Sequence, residues 1–453
     1  MPKNWSSSRL DLHLAMGTGS GRRAGLESAL REAVRDGRLP AGTPLPSTRG
    51  LAQELGLSRG TVTAAYDQLV EEGYLSTRPG SGTTVATVPL SSGEPTRPGP
   101  VRALPLHDLR PGCPDVGSFP VRAWLAATRR VLGADTLKAG DPQGRIELRT
   151  ALADYLGRTR GVRTGPDRIV VTSGFYQSIT LLSGVLETGV VATEDPGHNA
   201  FREVVRRAGH TLLPLPVDAY GARLEGLDAQ VGAVMLTPAH QYPTGVPLHP
   251  GRRQELCAWA RATGGLVVED DYDGEFRYDR QPVGALQGMA PEHVVYCGTA
   301  SKTLGPGLRL GWMVLPPGLV EPVTRAKELA DLYTESLGQL VLADLIATHA
   351  YDRYVRSCRL RYRRRRELLL DRLAAVPGIM AQGVPAGLHA LITPADERRV
   401  IAACAARGVA VRGLAELHHD PAGRAQGLMV GFAAPPERTY PAAVDALCAA
   451  LSA

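Results

Sequence analysis

The 453-residue sequence has only six cysteines, at positions 113, 257, 297, 358, 404 and 448, and no two of them form a Cys-x-x-Cys pair. Such scatter argues against a zinc site or a disulfide framework and leaves free thiols, with no metal, as the expectation. No apolar run is long enough to cross a bilayer, so no membrane partner is expected. The first residues, Met-Pro-Lys-Asn-Trp-Ser, lack the apolar core of a secretory leader, which points to the cytoplasm. No internal repeat is evident. A strong charge bias is missing too: the net charge of +6 permits a polyanionic partner without requiring one. What is present, 43% hydrophobic and 21% charged residues, is the composition of a soluble globular protein. The length calls for two or three domains.

Residues 22–36 carry Leu26, Leu30, Ala33 and Val34 at helical spacing and stop at Gly37. Pro46-Ser47-Thr48-Arg49 opens a second helix with Ser47 as N-cap. Ser58 caps a third, whose buried stripe is Val62, Ala65, Tyr66, Leu69 and Val70. Two helices joined by a tight turn containing Gly56 describe a helix-turn-helix. Residues 74–76 and 83–86, around Arg78-Pro-Gly80-Ser81-Gly82, read as a two-stranded wing. On double-stranded DNA this geometry places Ser58, Arg59, Gly60, Thr61 and Thr63, at the start of the third helix, against the major groove. Arg49 reaches backbone phosphate, Arg78 the minor groove or a phosphate, and the wing glycines allow close main-chain approach. The boundaries follow as a DNA-binding domain at 12–86, a Pro/Gly/Ser-rich linker at 87–105 and a large domain at 106–453.

Beyond the linker, strand-like runs at 168–172, 233–237, 266–270, 294–297 and 312–315 alternate with longer helical patterns, so the large domain is α/β with a mostly parallel sheet. From about residue 324 long helices precede a smaller α+β pattern. The basic run Arg361-Tyr-Arg-Arg-Arg-Arg-Glu367 reads as a solvated helix face in preference to a second DNA contact.

The chemistry concentrates in Thr299-Ala-Ser301-Lys302-Thr-Leu-Gly-Pro-Gly-Leu-Arg309-Leu-Gly311, which follows the apolar strand at 294–297. Lys302 therefore emerges at a strand end, where α/β folds place their sites. A lysine there can form an imine, and the hydroxyls of Thr299 and Ser301 with the Arg309 guanidinium suit a phosphate. Together they suggest pyridoxal phosphate. Asp270, at the tip of the strand at 266–270, is placed to pair with a pyridine nitrogen, and Tyr272 to bond the ring's phenolic oxygen. Ser173 and Gly174, between a strand and a helix, offer backbone N–H groups to a phosphate.

Leu45-Pro-Ser-Thr-Arg-Gly-Leu-Ala-Gln-Glu-Leu-Gly-Leu-Ser-Arg-Gly-Thr-Val62, with Glu72-Gly-Tyr-Leu75 and Gly80-Ser-Gly-Thr83, closely resembles the winged-helix domain of GntR-type transcription regulators. The lysine and aspartate segments, with Gly140-Asp-Pro-Gln-Gly144, Glu194-Asp-Pro-Gly197 and Thr237-Pro-Ala-His-Gln-Tyr-Pro-Thr-Gly245, resemble the type I aminotransferase fold. Joined in one chain, the two halves resemble the MocR family of regulators over nearly the whole sequence. The resemblance implies that Lys302 holds pyridoxal 5'-phosphate as an internal aldimine, that Asp270, Tyr272 and Arg309 bind its ring nitrogen, ring oxygen and phosphate, and that the protein is a head-to-tail homodimer on operator DNA. The implied function is transcription regulation by sensing the cofactor itself or an amino compound that forms an external aldimine with it. An active aminotransferase with a DNA-binding appendage, and a regulator whose large domain is only a dimerisation scaffold, are the alternative expectations.

Several positions depart from that pattern. Ala139 stands where the family commonly has a tyrosine, His198 replaces the tyrosine of Pro-Gly-Tyr, and Ala200 replaces an arginine of the GABA-responsive branch. Phe175 and Tyr176 follow Ser173-Gly174 where Ser-Gln is common, and Ala300 replaces an aromatic. Leu428-Met-Val-Gly-Phe432 offers no arginine where aminotransferases hold a substrate carboxylate, which leaves Arg412 or Arg424 as substitutes from a loop.

Overall fold

The computed structural model describes residues 21–78, 82–87, 105–279, 283–393 and 396–453. The chain divides into two compact units, residues 1–102 and 103–453. Almost all of the expected linker lies outside the described residues, as do Gly80 and Ser81 of the wing.

The first unit consists of α1 (Arg22–Arg35), α2 (Thr48–Glu54), α3 (Arg59–Glu71), β1 (Leu75–Arg78) and β2 (Gly82–Val85). Side-chain caps set the starts of α2 and α3. Ser47 Oγ accepts the Gly50 N–H and Ser58 Oγ the Thr61 N–H, each at 3.1 Å, satisfying donors that the first helical turn leaves open. Gly56 and Gly73 take left-handed backbone angles (φ +62° and +79°) that a residue with a side chain adopts reluctantly, and there α2 and α3 give way to turn and wing. Leu26, Leu30, Leu51, Val62, Tyr66 and Leu69 form the core; Val70, expected in the stripe, is only half-buried. The wing pairs Leu75 with Val85 through Arg78 with Gly82, and Pro44 adds a bridge to Thr84 that the sequence did not announce.

The second unit begins with the short strand β3 (His107–Asp108), followed by α4 (Val121–Val131) and α5 (Ile146–Arg160). An alternating stretch then supplies β4 (Ile169–Thr172), α6 (Phe175–Val185), β5 (Val190–Asp195), α7 (Asn199–Arg207), β6 (Thr211–Asp218), β7 (Gly221–Ala222), β8 (Val231–Leu236), α8 (Pro250–Thr263), β9 (Leu266–Asp270), β10 (Val294–Thr299) and β11 (Gly311–Val314). These eight strands form one sheet in the order β4-β11-β10-β9-β8-β5-β6-β7. The five adjacent strands from β10 to β6 run parallel, while β11 is antiparallel to both β10 and β4. Their residues are buried on both faces (all of β4, β9 except Leu266, all of β10), which is why they read as continuous apolar runs.

Helices α9 (Pro317–Asp331), α10 (Ser336–Ala347) and α11 (Ala350–Leu373) lead to a smaller part with β12 (Ala381–Gln382), β13 (His389–Ile392), α12 (Glu397–Ala406), β14 (Val409–Ala410), β15 (Arg412–Gly413), β16 (Leu428–Gly431) and α13 (Tyr440–Leu451). Its four-stranded sheet has the order β12-β13-β16-β15, and β14 pairs with β3. The basic run on α11 is not one solvated face. Arg365 is buried, bonded to Asp115 at 3.0 Å, to Glu437 at 2.9 Å and to the Ala433 carbonyl, and it ties the two ends of the unit to the helix. Among the described residues no helix is long and apolar enough to cross a membrane, and no His/Cys/Asp/Glu cluster could hold a metal ion.

Candidate functional site

Parallel strands open a crevice at their carboxyl ends. Here those ends are Asp270 on β9, Thr299 on β10, Leu236 on β8 and Glu194-Asp195 on β5. A cavity of about 340 Å³ lies there, and Asp270, Tyr272, Thr299, Ser301, Lys302 and Arg309, separated by up to 39 positions, all line it. Aromatic side chains, Phe175, Tyr176, Phe201 and Tyr242, line the rest together with His198 and His389.

Lys302 donates from Nζ to the Gly112 carbonyl at 2.7 Å. Burial pushes its ammonium below the ordinary lysine range, opposed by nearby Cys113 and Asp270. Burial also holds the Asp270 carboxyl well above the usual carboxylate range, against the pull of Lys302. Both groups are thus biased towards their neutral forms and await a charged partner. Glu194, whose carboxylate accepts the Thr237 N–H at 3.1 Å and its hydroxyl at 2.7 Å, is raised by burial to about 7. His198 stacks on Phe201 with ring centroids 3.8 Å apart, with Tyr176 edge-on to both rings. Burial, and next Arg412, lower its pKa to about 3, so this ring is neutral at physiological pH.

Arg309 is held at φ +51°, a left-handed angle that costs a non-glycine residue on the order of 1 kcal/mol. Its guanidinium lies beside Gly174, where a Cβ would meet Nη2 at 3.2 Å; Gly174 itself sits at φ +117°. Arg309 has no hydrogen bond or ion pair among the described residues. The N–H groups of Phe175 and Tyr176 open α6 at the same place. A cation, a helix N-terminus and a buried amine and acid at one aromatic-lined cavity fit pyridoxal 5'-phosphate by donor chemistry.

Two expected donors are otherwise engaged. The Ser173 N–H bonds Gln177 Oε1 at 2.7 Å, and neither Ser173 nor Gly174 lines the cavity, so Phe175 and Tyr176 supply the open end of the helix instead. Thr299 lines the cavity, but its hydroxyl donates to the Leu310 carbonyl at 3.2 Å and accepts the Ser301 N–H at 3.1 Å, which braces the lysine loop and leaves Ser301 as the available hydroxyl.

Sequence reasoning missed the support behind Tyr272. Its hydroxyl is 3.0 Å from His240 Nδ1, which is 2.8 Å from Asp273 Oδ2, and His240 and Asp273 are both buried. His389, from β13, donates to the Pro243 carbonyl at 3.3 Å and is lowered by burial to about 4. The sequence signal was the polar residues His240 and Asp273 inside otherwise apolar or turn-forming segments. Nothing linear joins them to position 389.

In the first unit Arg49, Arg59, Gly60 and Arg78 are exposed, and so is Gly82, at φ +82°. Thr61 and Thr63 are half-buried, and the Thr61 hydroxyl pairs with Ser58 Oγ at 2.8 Å, so part of its hydrogen-bonding capacity belongs to the cap.

Fold and site define a DNA-binding regulator with a large domain built like a pyridoxal-phosphate aminotransferase. Residues 23–85 match the family of bacterial regulatory proteins, gntR family, and residues 110–447 the family aminotransferase class I and II. The chain is 33% identical over 423 residues to the HTH-type pyridoxine biosynthesis transcriptional regulator PdxR of Corynebacterium glutamicum, covering 91% of this chain and 92% of that one. It is 33% identical over 372 residues to the probable rhizopine catabolism regulatory protein MocR of Rhizobium meliloti, covering 76% of each. The kynurenine aminotransferase of Pyrococcus horikoshii, solved with PMP, superposes with a TM-score of 0.70 at 26% identity, over 76% of this chain and 90% of that one. The chain belongs to the MocR/PdxR type of HTH transcription regulators, with a GntR-type DNA-binding domain and an aminotransferase-like domain whose fold implies pyridoxal 5'-phosphate.

Proposed function

We propose that the large domain senses pyridoxal 5'-phosphate, or an amino compound that reacts with it, and transmits its ligand state to operator-bound winged helices. The observation that carries this reading is the convergence of Lys302, Asp270, Tyr272 and Arg309 on one cavity at the carboxyl ends of the parallel strands. When bound, the cofactor supplies an electrophilic carbonyl carbon and an electron-withdrawing ring. Lys302, whose ammonium burial disfavours, would hold the carbonyl end of the group, Arg309 and the α6 terminus would neutralise its phosphate, and Asp270 would provide the counter-charge for a protonated ring nitrogen. Tyr272, steadied by His240 and Asp273, would donate to the ring oxygen and Ser301 would add a hydroxyl, while the aromatic and apolar walls exclude water.

A ligand alters DNA binding only by favouring one arrangement of the domains over another. A head-to-tail homodimer supplies two such arrangements. Its interface is supported by exposed apolar residues on and beside α4, namely Val121, Leu125, Leu132, Leu137 and Ile146, each more than half exposed in the single chain. At the operator, Arg59, Gly60 and Thr63 face bases and Arg49 and Arg78 face phosphates, with Ser58 and Thr61 fixing the helix that presents them.

The test is the near-ultraviolet and visible spectrum of the purified protein, before and after borohydride, against Lys302→Ala. A cofactor band that borohydride removes and the variant lacks is expected. Absence of the band after pyridoxal phosphate is added refutes the reading.

A further inference from the structure

Four cationic side chains line the cavity: Arg202, Lys302, Arg309 and Arg412. The proposed function employs Lys302 and Arg309. Arg202 is spent on main chain, donating to the Leu417 and His418 carbonyls at 2.8 and 2.9 Å. Arg412 remains.

Its position is built by the small sheet. Arg412 on β15 stands in register with Met429 on β16, and side chains opposite one another across an antiparallel pair share a face. Met429 is fully buried, in a cluster against which Tyr242 packs, so Arg412 emerges on the face that borders the cavity. Asn199 Oδ1, at the start of α7, accepts its Nη2 at 3.2 Å, and Glu416 holds Nε from a half-exposed position at the rim. Arg412 also lines a second cavity, with Cys113, Pro111 and Arg412 itself shared between the two. Arg309 borders only the first. Arg309 and Arg412 therefore belong to different regions of the site.

Arg424, which was open from sequence, is not a cavity residue. Its side chain is exposed and, among the described residues, pairs with Asp195 at 3.8 Å, an acid already bonded to His418 Nδ1 at 3.0 Å.

Resting on the cofactor-binding reading above, we propose that Arg412 is the anchor for the carboxylate of the effector, so that the ligand class of this regulator is amino acids and not simple amines. An arginine half-shielded from water by Tyr242 and His198 suits a planar carboxylate, which it can grip with two parallel N–H groups. The neutral His198 beside it brings no competing cation.

The probes are N-(5'-phosphopyridoxyl)-L-alanine and N-(5'-phosphopyridoxyl)ethylamine, which differ only in the carboxylate. Their affinities for the cofactor-free full-length protein are measured by calorimetry, with melting curves confirming that each variant is folded. In the wild type the alanine conjugate is expected to bind at least about tenfold more tightly, the worth of a charge-assisted pair. Arg412→Gln brings the ratio close to one, Arg412→Lys keeps part of it, and Arg424→Gln leaves it at the wild-type value. A wild-type ratio near one, or a ratio that survives Arg412→Gln, overturns the proposal while binding of both conjugates upholds the cofactor reading. Failure of both conjugates to bind overturns the two readings together.

Discussion

Asp270 ends β9, Asp271, Tyr272 and Asp273 follow it, and Asp271, which does not line the cavity, holds this segment in place. Asp271 takes two hydrogen bonds from Arg160, Nε to Oδ2 at 2.6 Å and Nη2 to Oδ1 at 2.8 Å, and a third from the Tyr296 hydroxyl at 2.7 Å. The side chains are only 6% and 2% exposed, so neither charge has water to fall back on. Asp271→Asn keeps the shape but leaves the guanidinium buried without a counter-charge, a change that costs about 3–5 kcal/mol. With an unfolding entropy near 2.1 cal/mol/K per residue, a unit of about 350 residues loses about 0.7 kcal/mol of stability per degree, so the melting point of the large unit falls by about 4–7 °C. Pyridoxal phosphate affinity falls with it, because Asp270 and Tyr272 flank the substitution. Scanning calorimetry measures the first effect and equilibrium dialysis the second. The triple variant Arg160→Met, Asp271→Leu, Tyr296→Phe removes all three polar groups and is expected to recover part of the loss. A single variant that melts within about 1 °C of the wild type would show that the ion pair is not what fixes this segment.

Three further outcomes are expected. Arg59→Ala and Arg49→Ala weaken operator binding and flatten its salt dependence while pyridoxal phosphate retention is unaltered; gel-shift titrations over a range of salt concentrations test this, and an unchanged slope contradicts the docking. Because burial lowers the Lys302 pKa, capture of pyridoxal phosphate by stopped-flow absorbance rises with pH to a plateau reached below the ordinary lysine value of 10.5; a midpoint at or above that value is the contrary result. His389 has a folded pKa of about 4 against an ordinary 6.5, so the unfolded chain takes up the proton first. Its stability contribution is intact above about 6.5 and is lost as pH falls towards about 4. His389→Gln reduces the slope of stability against pH in that window by about 1.4 kcal/mol per unit, read from urea melts.

Much of the architecture was legible because it is written locally. Ser47 and Ser58 announce helix starts through their own hydroxyls, and the run Leu266–Asp270 is apolar until the two acids that end it, the second of which reaches the cavity. The strands Val190–Asp195 and Thr211–Asp218 were passed over. The first ends in Thr-Glu-Asp and the second carries two prolines near the sheet edge, so neither reads as a continuous apolar run. The basic run on α11 reads as a solvated face, yet of its arginines only Arg364 is exposed and Arg365 is buried; nothing near Arg365 in sequence reveals Asp115, 250 positions away.

By itself the sequence determined the winged helix and the α/β class of the large domain and offered candidate groups for pyridoxal phosphate, because caps, periodicities and a strand-end lysine are properties of neighbouring residues. Only the tertiary structure decided which donors remain available. Ser173 and Thr299 lose theirs to Gln177 and Leu310. Tyr272 gains the support of His240 and Asp273. The choice between Arg412 and Arg424 turned on a cross-strand register with Met429, a relation between side chains 17 residues apart in the chain that exists only once β15 and β16 have paired.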